Sequence, residues 1–505
     1  MQLEQTLRDA LQRDAADLVP VGRGPDHARR RAFRRKRRIQ SGVVVIGAAG
    51  LVGSSLAVIE TRPSGHGPRI ATQTAPPTSD LVWRTVDGTV LIQGRQFTTS
   101  DGVTYALSTA PGTKPLADGV GPQELYATHD GVSWTHTSLG PTPWVADIAE
   151  SKGVLYAVGT GPGAQAGATV YRLSTSTDGG AHWNDGSVPV EFKTPSSTVP
   201  IALATRVMVA RGPHTTVVMA KASYWPNLSS VLGSEANYNA TVDGVQILDS
   251  SSCKSDKNGG PNCTYRVVST RPWSDFGISD PAALHQQEAF VRDDGGSWQR
   301  VSLPTDFTTT VLDVTATSNG FLMAEQAYGS TTTAGLGAVQ LWSSSDGRSW
   351  SRLAGAVPRF DSVAISGDRI VGTDSVSSSV VVSNDGGSTW IATDNIAALL
   401  PSGGELQPFG PISTGTSDAG PLGYAVVVRT NGPGGAHTYL LHSGDGAAWK
   451  VTDLGAEGAP SKDGVVSVTV GADHIDVSYE VAASRSADGA PESYKLVELL
   501  GTPKA

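Results

Sequence analysis

Three things are scarce in this chain of 505 residues: charged side chains, cysteine and the signature motifs of common enzymes. Charged residues make up 17% of the chain, and strong helix-forming stretches are rare after residue 60, so a helical body is not expected. The two cysteines are too few to hold a metal ion by themselves. No Gly-x-Ser-x-Gly elbow, His-Glu-x-x-His helix or P-loop occurs, which removes the usual sequence signs of an α/β-hydrolase, a zinc protease or a P-loop nucleotidase.

Glycine is abundant, with 59 residues, and some of these glycines lie in a short motif that occurs six times. The copy at Ser383–Trp390 reads Ser-Asn-Asp-Gly-Gly-Ser-Thr-Trp. Copies return at irregular intervals, which indicates a repeat architecture with variable loops. The Asp and Trp residues of the six copies are Asp130 and Trp134, Asp178 and Trp183, Asp293 and Trp298, Asp346 and Trp350, Asp385 and Trp390, and Asp445 and Trp449.

Each copy has the composition of a tight hairpin turn. The Asp carboxylate can accept hydrogen bonds from backbone N–H groups a few residues later, and the Gly that follows supplies a positive φ. The Ser or Thr before the Asp adds a second local bond. Strand-forming residues precede the turn, as in Val380–Val382 and Tyr439–Leu441, and the Trp opens the outgoing strand. The motif therefore predicts a β-hairpin whose turn is held by its Asp.

This motif resembles the Asp-box, also called the bacterial neuraminidase repeat, which occurs in sialidases and in many non-catalytic propellers. The resemblance covers most of the chain after residue 80. It implies an all-β propeller in which the boxes lie on the rim, away from the central pocket. By this resemblance, the six Asp and Trp residues are structural rather than catalytic.

The repeats predict an all-β fold, a β-propeller of about seven four-stranded blades, over residues 81–505. Six blades each carry one box. The last box is followed by three further strands, Val465–Val470, His474–Tyr479 and Tyr494–Leu500, and by no fourth. The N-terminal strand Leu81–Val86 can complete this set, which closes the ring and removes two exposed edges.

The interval between Trp183 and Trp298 decides the number of blades. It is long enough for two blades, with residues 241–244 as a decayed box. We favour one blade that carries an insertion at about 225–285, because long loops inside a compact domain are usually functional. Six or eight blades stay open as alternatives.

The first 60 residues predict a membrane anchor. Eight of the ten residues from Arg29 to Arg38 are basic, and residues 42–59 carry no charge. We therefore assign residues 1–40 to a cytoplasmic tail, 41–60 to a single transmembrane helix and 61–80 to an extracytoplasmic linker. The protein is then a single-pass protein of a bacterial cell membrane, in contact with lipid through residues 41–60, with its propeller outside.

A cleaved export signal is the alternative for this segment. Such a signal has the same order of a basic and an apolar stretch, Ser55–Ala57 fits a cleavage site, and Arg30–Phe33 resembles a twin-arginine signal. The long basic region and the linker after the apolar stretch favour the anchor. A mature N-terminus near residue 58 would contradict it.

Charge is divided unevenly between the two parts of the chain. Residues 1–40 carry eleven basic and five acidic side chains, a net charge of +6; because the whole chain carries −9, residues 41–505 carry −15. The basic tail suits the anionic inner surface of the membrane, and its position beside the span makes lipid rather than nucleic acid its expected contact.

The two cysteines, Cys253 and Cys263, both lie in the predicted insertion. The predicted topology places them in an oxidising compartment, where their short spacing predicts a disulfide bond. The chain-entropy model gives such a bond roughly 3 kcal/mol of local stabilisation. No metal site and no cofactor are predicted.

The sequence supports no catalytic assignment. A sialidase, by the resemblance, needs three converging arginines, a Tyr–Glu pair and an Asp, and its first arginine lies in an Arg-Ile-Pro motif that is absent here. Arg69-Ile70 is followed by Ala71. Of the glutamates, Glu288, Glu325, Glu405 and Glu480 lie on predicted strands or loops and are interpreted as solvated or locally paired.

The expected function is that of a binding or scaffolding module for glycans or cell-envelope partners, with no nucleic-acid partner and no catalytic residue. The alternative is a divergent sialidase-like glycoside hydrolase. A third interpretation is a sensor that signals through residues 1–28.

Overall fold

The computed structural model describes residues 69–70, 80–86, 92–99, 102–109, 123–138, 144–162, 169–233, 238–241, 243–249, 254–255, 261–262, 266–304, 309–327, 339–354, 357–393, 396–401, 405–407, 409–415, 422–432, 435–457, 465–485 and 491–504. The predicted tail, the predicted transmembrane helix and most of the predicted linker lie outside these residues, as do Cys253 and Cys263, so these assignments remain predictions. Within the described ranges, no helix has both the length and the apolar character needed to span a bilayer.

Strands make up most of the described chain. Two N-terminal strands, β1 (Arg69–Ile70) and β2 (Leu81–Val86), join sheets that later parts of the chain form. Sheet 1 consists of β3 (Ile92–Thr98), β4 (Thr104–Thr109), β5 (Gln123–Thr128) and β6 (Thr135–Ser138). Sheet 2 consists of β7 (Trp144–Ser151), β8 (Val154–Pro162), β9 (Thr169–Ser176) and β10 (Asn184–Val188).

Sheet 3 is interrupted by an insertion. It starts with β11 (Ile201–Arg211) and β12 (Thr215–Pro226) and ends with two strands that follow the insertion. The insertion and these last two strands are α1 (Ser229–Leu232), β13 (Tyr238–Thr241), β14 (Gly244–Asp249), β15 (Lys254–Ser255), β16 (Pro261–Asn262), β17 (Arg266–Arg271), the 3₁₀ helices η1 (Trp273–Phe276) and η2 (Pro281–Leu284), β18 (His285–Asp293) and β19 (Gln299–Val301).

The C-terminal part forms four further sheets. Sheet 4 consists of β20 (Thr309–Thr317), β21 (Gly320–Ala327), β22 (Val339–Ser344) and β23 (Ser351–Arg352). Sheet 5 consists of β24 (Ser362–Ser366), β25 (Arg369–Asp374), β26 (Ser379–Ser383) and β27 (Ile391–Thr393). After η3 (Ile396–Leu399), sheet 6 consists of β28 (Glu405–Leu406), β29 (Ile412–Thr414), β30 (Tyr424–Gly432), β31 (Gly435–Ser443) and β32 (Lys450–Asp453). Sheet 7 contains β33 (Val465–Val470), β34 (Ile475–Arg485) and β35 (Pro491–Pro503).

Sheet 7 takes its fourth strand from the N-terminal side. Strand β2 pairs antiparallel with β35, with Leu81 opposite Pro503 and Val86 opposite Glu498. The composite sheet predicted from the sequence is therefore confirmed. Strand β1 is a further N-terminal contribution, which the sequence did not predict: it lies parallel to β27 at the edge of sheet 5.

Both faces of these sheets are buried, which explains their runs of β-branched residues. In β30, Val426 and Val428 pack with residues of sheet 5, whereas Val427 between them packs with residues of sheet 7. Alternate residues of a strand point to opposite faces, so three consecutive valines serve two interfaces. Similar apolar clusters join sheet 1 to 2, 2 to 3, 3 to 4 and 4 to 5.

One strand near the start of each of the seven sheets contacts its counterpart in the next sheet, in chain order. Strand β3 contacts β7, β7 contacts β11, β11 contacts β20, β20 contacts β24, β24 contacts β29 and β29 contacts β33. Strand β33 in turn contacts β3, so the last sheet lies beside the first. The described residues thus form an all-β protein of seven main sheets with very little helix.

The insertion is a smaller unit packed on sheet 3. Its strands β13, β14 and β17 form one three-stranded sheet, and β15 pairs with β16. Thr241 pairs with Gly244 where β13 meets β14, and the sheet that these strands form with β17 has three strands, not the four of a main sheet. The insertion joins the end of β12 to the start of β18, whereas the box turn follows β18. The insertion and the box turn therefore lie at opposite ends of the strands of sheet 3.

Candidate functional site

Five of the six motif copies form the same hydrogen-bonded turn. In each, the Ser or Thr hydroxyl two residues before the Asp donates to Oδ1 of that Asp, and Oδ1 also accepts one or two backbone N–H groups of the turn. The hydroxyl bonds measure 3.0 Å (Thr128–Asp130), 2.8 Å (Ser176–Asp178), 3.2 Å (Ser344–Asp346), 2.8 Å (Ser383–Asp385) and 3.2 Å (Ser443–Asp445). The N–H bonds come from Val132 and Ser133, His182, Arg348 and Ser349, Thr389, and Ala447 and Ala448.

These bonds stabilise the ionised form of the carboxylates. The backbone N–H groups of Ser133 and Val132 hold the pKa of Asp130 well below its usual range. The backbone N–H and then the side chain of His182 lower the pKa of Asp178 in the same way. In these five copies each carboxylate is occupied by its own turn, so the boxes are separate turns, one at the third hairpin of each of sheets 1, 2, 4, 5 and 6.

The motif tryptophans differ in burial and in contacts. Trp390 and Trp449 are buried, and Nε1 of Trp449 donates to Thr393 Oγ1 at 3.0 Å and to Gly446 O at 3.1 Å. Nε1 of Trp350 donates to Gly347 O at 3.0 Å, within its own turn. Nε1 of Trp298 donates to Ser187 O at 2.9 Å, which links sheet 3 to sheet 2. Trp134 and Trp183 pack against clusters of sheet 1 and of sheets 1 and 2.

Replacing Asp385 with alanine tests the role of the box carboxylates. The carboxylate accepts bonds from Ser383 Oγ, from the backbone N–H of Thr389 at 2.8 Å and from Thr389 Oγ1 at 2.6 Å. We expect Asp385→Ala to lower the free energy of unfolding by about 1–3 kcal/mol, measured by urea denaturation. Asp385→Asn keeps the Oδ1 acceptor and is the matched control, with a smaller expected loss. Unchanged stability in Asp385→Ala would contradict the structural role.

The third copy departs from this pattern. When its Asp294-Gly295 pair is aligned with the Asp-Gly pairs of the other copies, Arg292 stands where those copies have Ser or Thr; the residue two positions before Asp293 is Val291. Asp293 accepts from Thr215 Oγ1 at 2.9 Å and from Arg348 Nη2 at 2.6 Å, and Asp294 accepts from Arg211 Nη2 at 2.6 Å. In the described part of the chain neither carboxylate accepts an N–H group of its own turn. This corrects the assignment of Asp293 as the residue that holds the turn: it links sheet 3 to the box of sheet 4.

A cavity of about 330 Å³ opens beside this third copy. Its wall includes Tyr156 of sheet 2, Arg211 and Thr216 of the β11–β12 hairpin, and Arg292 and Asp294. The guanidinium of Arg211 lies 5.1 Å from the centre of the Tyr156 ring, and that of Arg292 lies 4.5 Å from the centre of the Trp298 ring. This site was not predicted from the sequence, although Arg292 two residues before the Asp294-Gly295 pair was a visible signal.

The end of sheet 3 that carries the insertion forms a second candidate surface. A cluster that includes Tyr224, Trp273 and Phe276 attaches the insertion to β12. Outside this cluster, large apolar side chains are left exposed. Five of the seven exposed large hydrophobic residues in the described chain lie in sheet 3 or its insertion: Leu203, Trp225, Val231, Val267 and Val268. Trp225, at 56% exposure, is the largest of them, and its ring meets that of His285 edge-on at 5.9 Å.

Two carboxyl groups are buried in sheet 7. Asp476 and Glu498 lie on β34 and β35 and are 6% and 4% exposed. Burial raises the pKa of Glu498 to about 7, and burial together with the nearby Glu498 raises the pKa of Asp476. Both side chains point away from the apolar cluster that sheet 7 shares with sheet 6. They lie on the same face of sheet 7 as Leu500. Leu500 meets Gly131 of sheet 1, so the carboxyl groups lie between sheets 7 and 1.

The glutamates considered from the sequence lie in different places. Glu288 is buried and accepts from Arg300 Nη2 at 2.6 Å and from the backbone N–H of Glu191 at 3.2 Å. Glu325 is buried and accepts from Trp342 Nε1 at 2.6 Å. The side chains of Glu405 and Glu480 lie outside the described part. No set of three His, Cys, Asp or Glu side chains arranged to bind a metal occurs among the described residues.

Comparison with known proteins gives only distant likenesses. No protein-family model and no curated protein matches the chain. Phage phi92 endosialidase is similar with a TM-score of 0.33 and 12% identity, over 84% of this chain and 70% of that one. An α-L-arabinofuranosidase from Fusarium graminearum is similar with a TM-score of 0.35 and 11% identity, over 86% and 98%.

Acylaminoacyl peptidase from Pyrococcus horikoshii is similar with a TM-score of 0.38 and 10% identity, over 84% of this chain and 54% of that one. This chain therefore spans about half the length of that peptidase. At such low scores and identities, none of these likenesses transfers an activity to this chain.

Proposed function

We propose that the seven main sheets are the blades of a closed β-propeller of the Asp-box type. The contact of β33 with β3 and the pairing of β2 with β35 support closure. Closure removes the exposed edges that an open array of sheets would leave. The five uniform boxes, at the same hairpin of their sheets, support a common ancestry with Asp-box propellers.

The propeller is proposed to act as a binding module for glycans or protein partners of the cell envelope. The observation that carries this proposal is the concentration of exposed apolar side chains around the insertion. Exposed apolar groups are costly in water and mark interaction surfaces when they collect in one region. Tryptophan is prominent among residues that dominate binding energies and also stacks on sugar rings, so Trp225 is the proposed anchor.

Trp225→Ala provides the test. The full chain is screened against glycans and cell-wall fragments, and the affinity for each ligand found is compared with that of the variant. We expect binding to weaken by about tenfold or more, since loss of an anchoring Trp commonly costs about 2 kcal/mol. Val82→Ala is the matched control, because Val82 is similarly exposed at 52% but lies on β2. Equal affinities in wild type and Trp225→Ala would contradict the proposal.

A glycoside hydrolase is the second candidate. The observation that favours it is the pair of buried carboxyl groups of Asp476 and Glu498 on the neighbouring strands β34 and β35, where burial raises the pKa of Glu498 to about 7, a value that suits a general acid. A fluorogenic assay with sialosides and arabinosides tests this candidate. Turnover by the wild type that is lost in Glu498→Gln would support it, and no turnover above buffer would remove it.

The membrane tether is proposed from the sequence alone. The basic stretch and the apolar stretch that follows it support a membrane span at residues 41–60 with the propeller outside the cell. Mass spectrometry of the membrane fraction is the direct measurement. Peptides from residues 1–40 are expected there, whereas a processed N-terminus near residue 58 would show a cleaved signal instead.

A further inference from the structure

The cavity beside the third motif copy lies at the end of sheet 3 that carries the box turn, and the insertion lies at the other end of the strands. It is therefore a different place from the surface around Trp225. Its position is set by two hairpins, because Arg211 ends β11 and Arg292 is in the penultimate position of β18. Tyr156 of the neighbouring sheet forms the facing wall.

Arg211 is held firmly in this cavity. Its side chain is only 8% exposed and forms an ion pair with Asp294 at 2.6 Å. Its Nη1 donates to Thr216 Oγ1 at 3.0 Å. Its Nε is buried and has no hydrogen-bond acceptor in the structure. A buried N–H group of a guanidinium without an acceptor is costly, so Arg211 holds its positive charge in this cavity with incomplete hydrogen bonding.

Arg292 is the second guanidinium of the cavity. Among the described residues it forms a ring contact with Trp298 and no hydrogen bond or ion pair. Burial and then the nearby Arg211 lower its pKa, and the attraction of Asp294 offsets them only in part. Asp293 does not relieve the remaining cost, because Arg348 and Thr215 occupy its two oxygens.

The local charges do not balance. Three guanidinium groups, of Arg211, Arg292 and Arg348, meet two carboxylates, of Asp293 and Asp294, which leaves one positive charge in excess when His214 is neutral. A guanidinium fork binds carboxylate and phosphate groups through paired N–H bonds. The volume of about 330 Å³ lies at the lower end of the range for small-ligand pockets and fits a single sugar-sized unit.

We infer that this cavity binds the anionic group, a carboxylate or a phosphate, of an acidic sugar unit. Arg292 supplies the paired N–H donors to the anion, and Arg211 supplies the second positive charge. Tyr156 and the threonine hydroxyl of Thr216 shape the rest of the wall. The third copy thus has a guanidinium at the position, two residues before Asp294, where a hydroxyl group binds the turn in the other copies.

The test uses the full chain and four probes: glucuronate, a glucose phosphate, glucose and inorganic phosphate. Affinities are measured by isothermal calorimetry for the wild type, Arg292→Gln, Arg292→Lys and Arg352→Gln. We expect an acidic sugar to bind more tightly than glucose, and we expect Arg292→Gln to weaken that binding about tenfold or more. Arg292→Lys keeps the charge but loses the fork, so an intermediate loss is expected. Arg352→Gln removes an exposed arginine outside the cavity and should bind as the wild type does.

The arms of the experiment separate the possible outcomes. Preference for glucuronate over the glucose phosphate assigns a carboxylate, and the reverse assigns a phosphate. Equal binding of glucose and the acidic sugars, no binding of any probe, or equal affinities in wild type and Arg292→Gln would overturn the inference. If Arg292→Gln does not fold, as judged by circular dichroism, Arg292→Lys decides in its place. Trp225→Ala should leave the affinity for acidic sugars unchanged, so a failure of this inference and a failure of the proposed function are distinguishable.

Discussion

Alanine in place of Gly446 should lower the free energy of unfolding by about 2–5 kcal/mol, because two costs act at once. Gly446 has a φ of +80°, which an L-residue adopts only with strain. A Cβ at this position would also lie 1.9 Å from Cγ2 of Val382, a fully buried residue of the neighbouring sheet. The box glycine therefore allows the turn of sheet 6 to lie against sheet 5. Urea denaturation of the variant and the wild type measures the effect.

The chain offers a matched control for this substitution. Gly295 in the third copy has a similar φ of +71°, but nothing lies within 4 Å of its virtual Cβ. Gly295→Ala should therefore cost only the backbone strain, about 1–2 kcal/mol. Val382→Ala makes room for the new methyl group, so the double variant Gly446→Ala, Val382→Ala should lose less stability than the sum of the two single variants. Equal losses in Gly446→Ala and Gly295→Ala would contradict the packing role.

The variant Glu498→Gln should become more stable than the wild type as the pH is raised. The pKa of Glu498 in the folded protein is raised by burial from its ordinary 4.5 to about 7. In the unfolded chain this carboxyl ionises freely above its ordinary pKa, whereas the folded protein keeps the proton. The wild type therefore loses stability as the pH rises from about 4.5 to about 7, by about 3 kcal/mol in total. Glutamine resembles the protonated acid and removes this loss.

The measurement is urea denaturation of wild type and Glu498→Gln at pH 4.5, 6 and 8. Together these pH values span the window between the ordinary and the folded pKa of this carboxyl group. The difference between the two proteins should grow with pH and level off above about pH 7. Glu457→Gln is the control, because Glu457 is exposed and its loss should leave the pH dependence unchanged. Parallel curves for Glu498→Gln and the wild type would show that the buried carboxyl is not protonated in the folded protein.

Local features of the sequence predicted much of this architecture. The box turns were predictable because Asp, Gly and a hydroxyl residue satisfy the hydrogen bonds of one turn without help from distant parts of the chain. The partnership of Leu81–Val86 with the C-terminal strands was predictable because a set of three strands without a fourth leaves an edge to cover. Strand β1 was missed, since two residues show no periodicity.

The candidate sites were harder to predict, because each depends on residues far apart in the sequence. The place of Arg292 in a cavity follows only once Arg211 and Tyr156 are known to face it. The raised pKa of Glu498 depends on its burial between sheets 7 and 1, which no local pattern encodes. Trp225 was not singled out at all, since its exposure depends on how the insertion packs on β12.

The pairing of β2 with β35 has a consequence for how the protein is made. Residues 81–86 are among the first of the described fold to be synthesised, and their partner includes Leu499–Pro503, among the last. The first strand must therefore wait, unpaired, while the six intervening sheets form. Pairings between such distant segments form slowly, because the chain loop between them is long. A ribosome that stalls before residue 499 would release a chain with an open strand at each end, prone to pair with other chains.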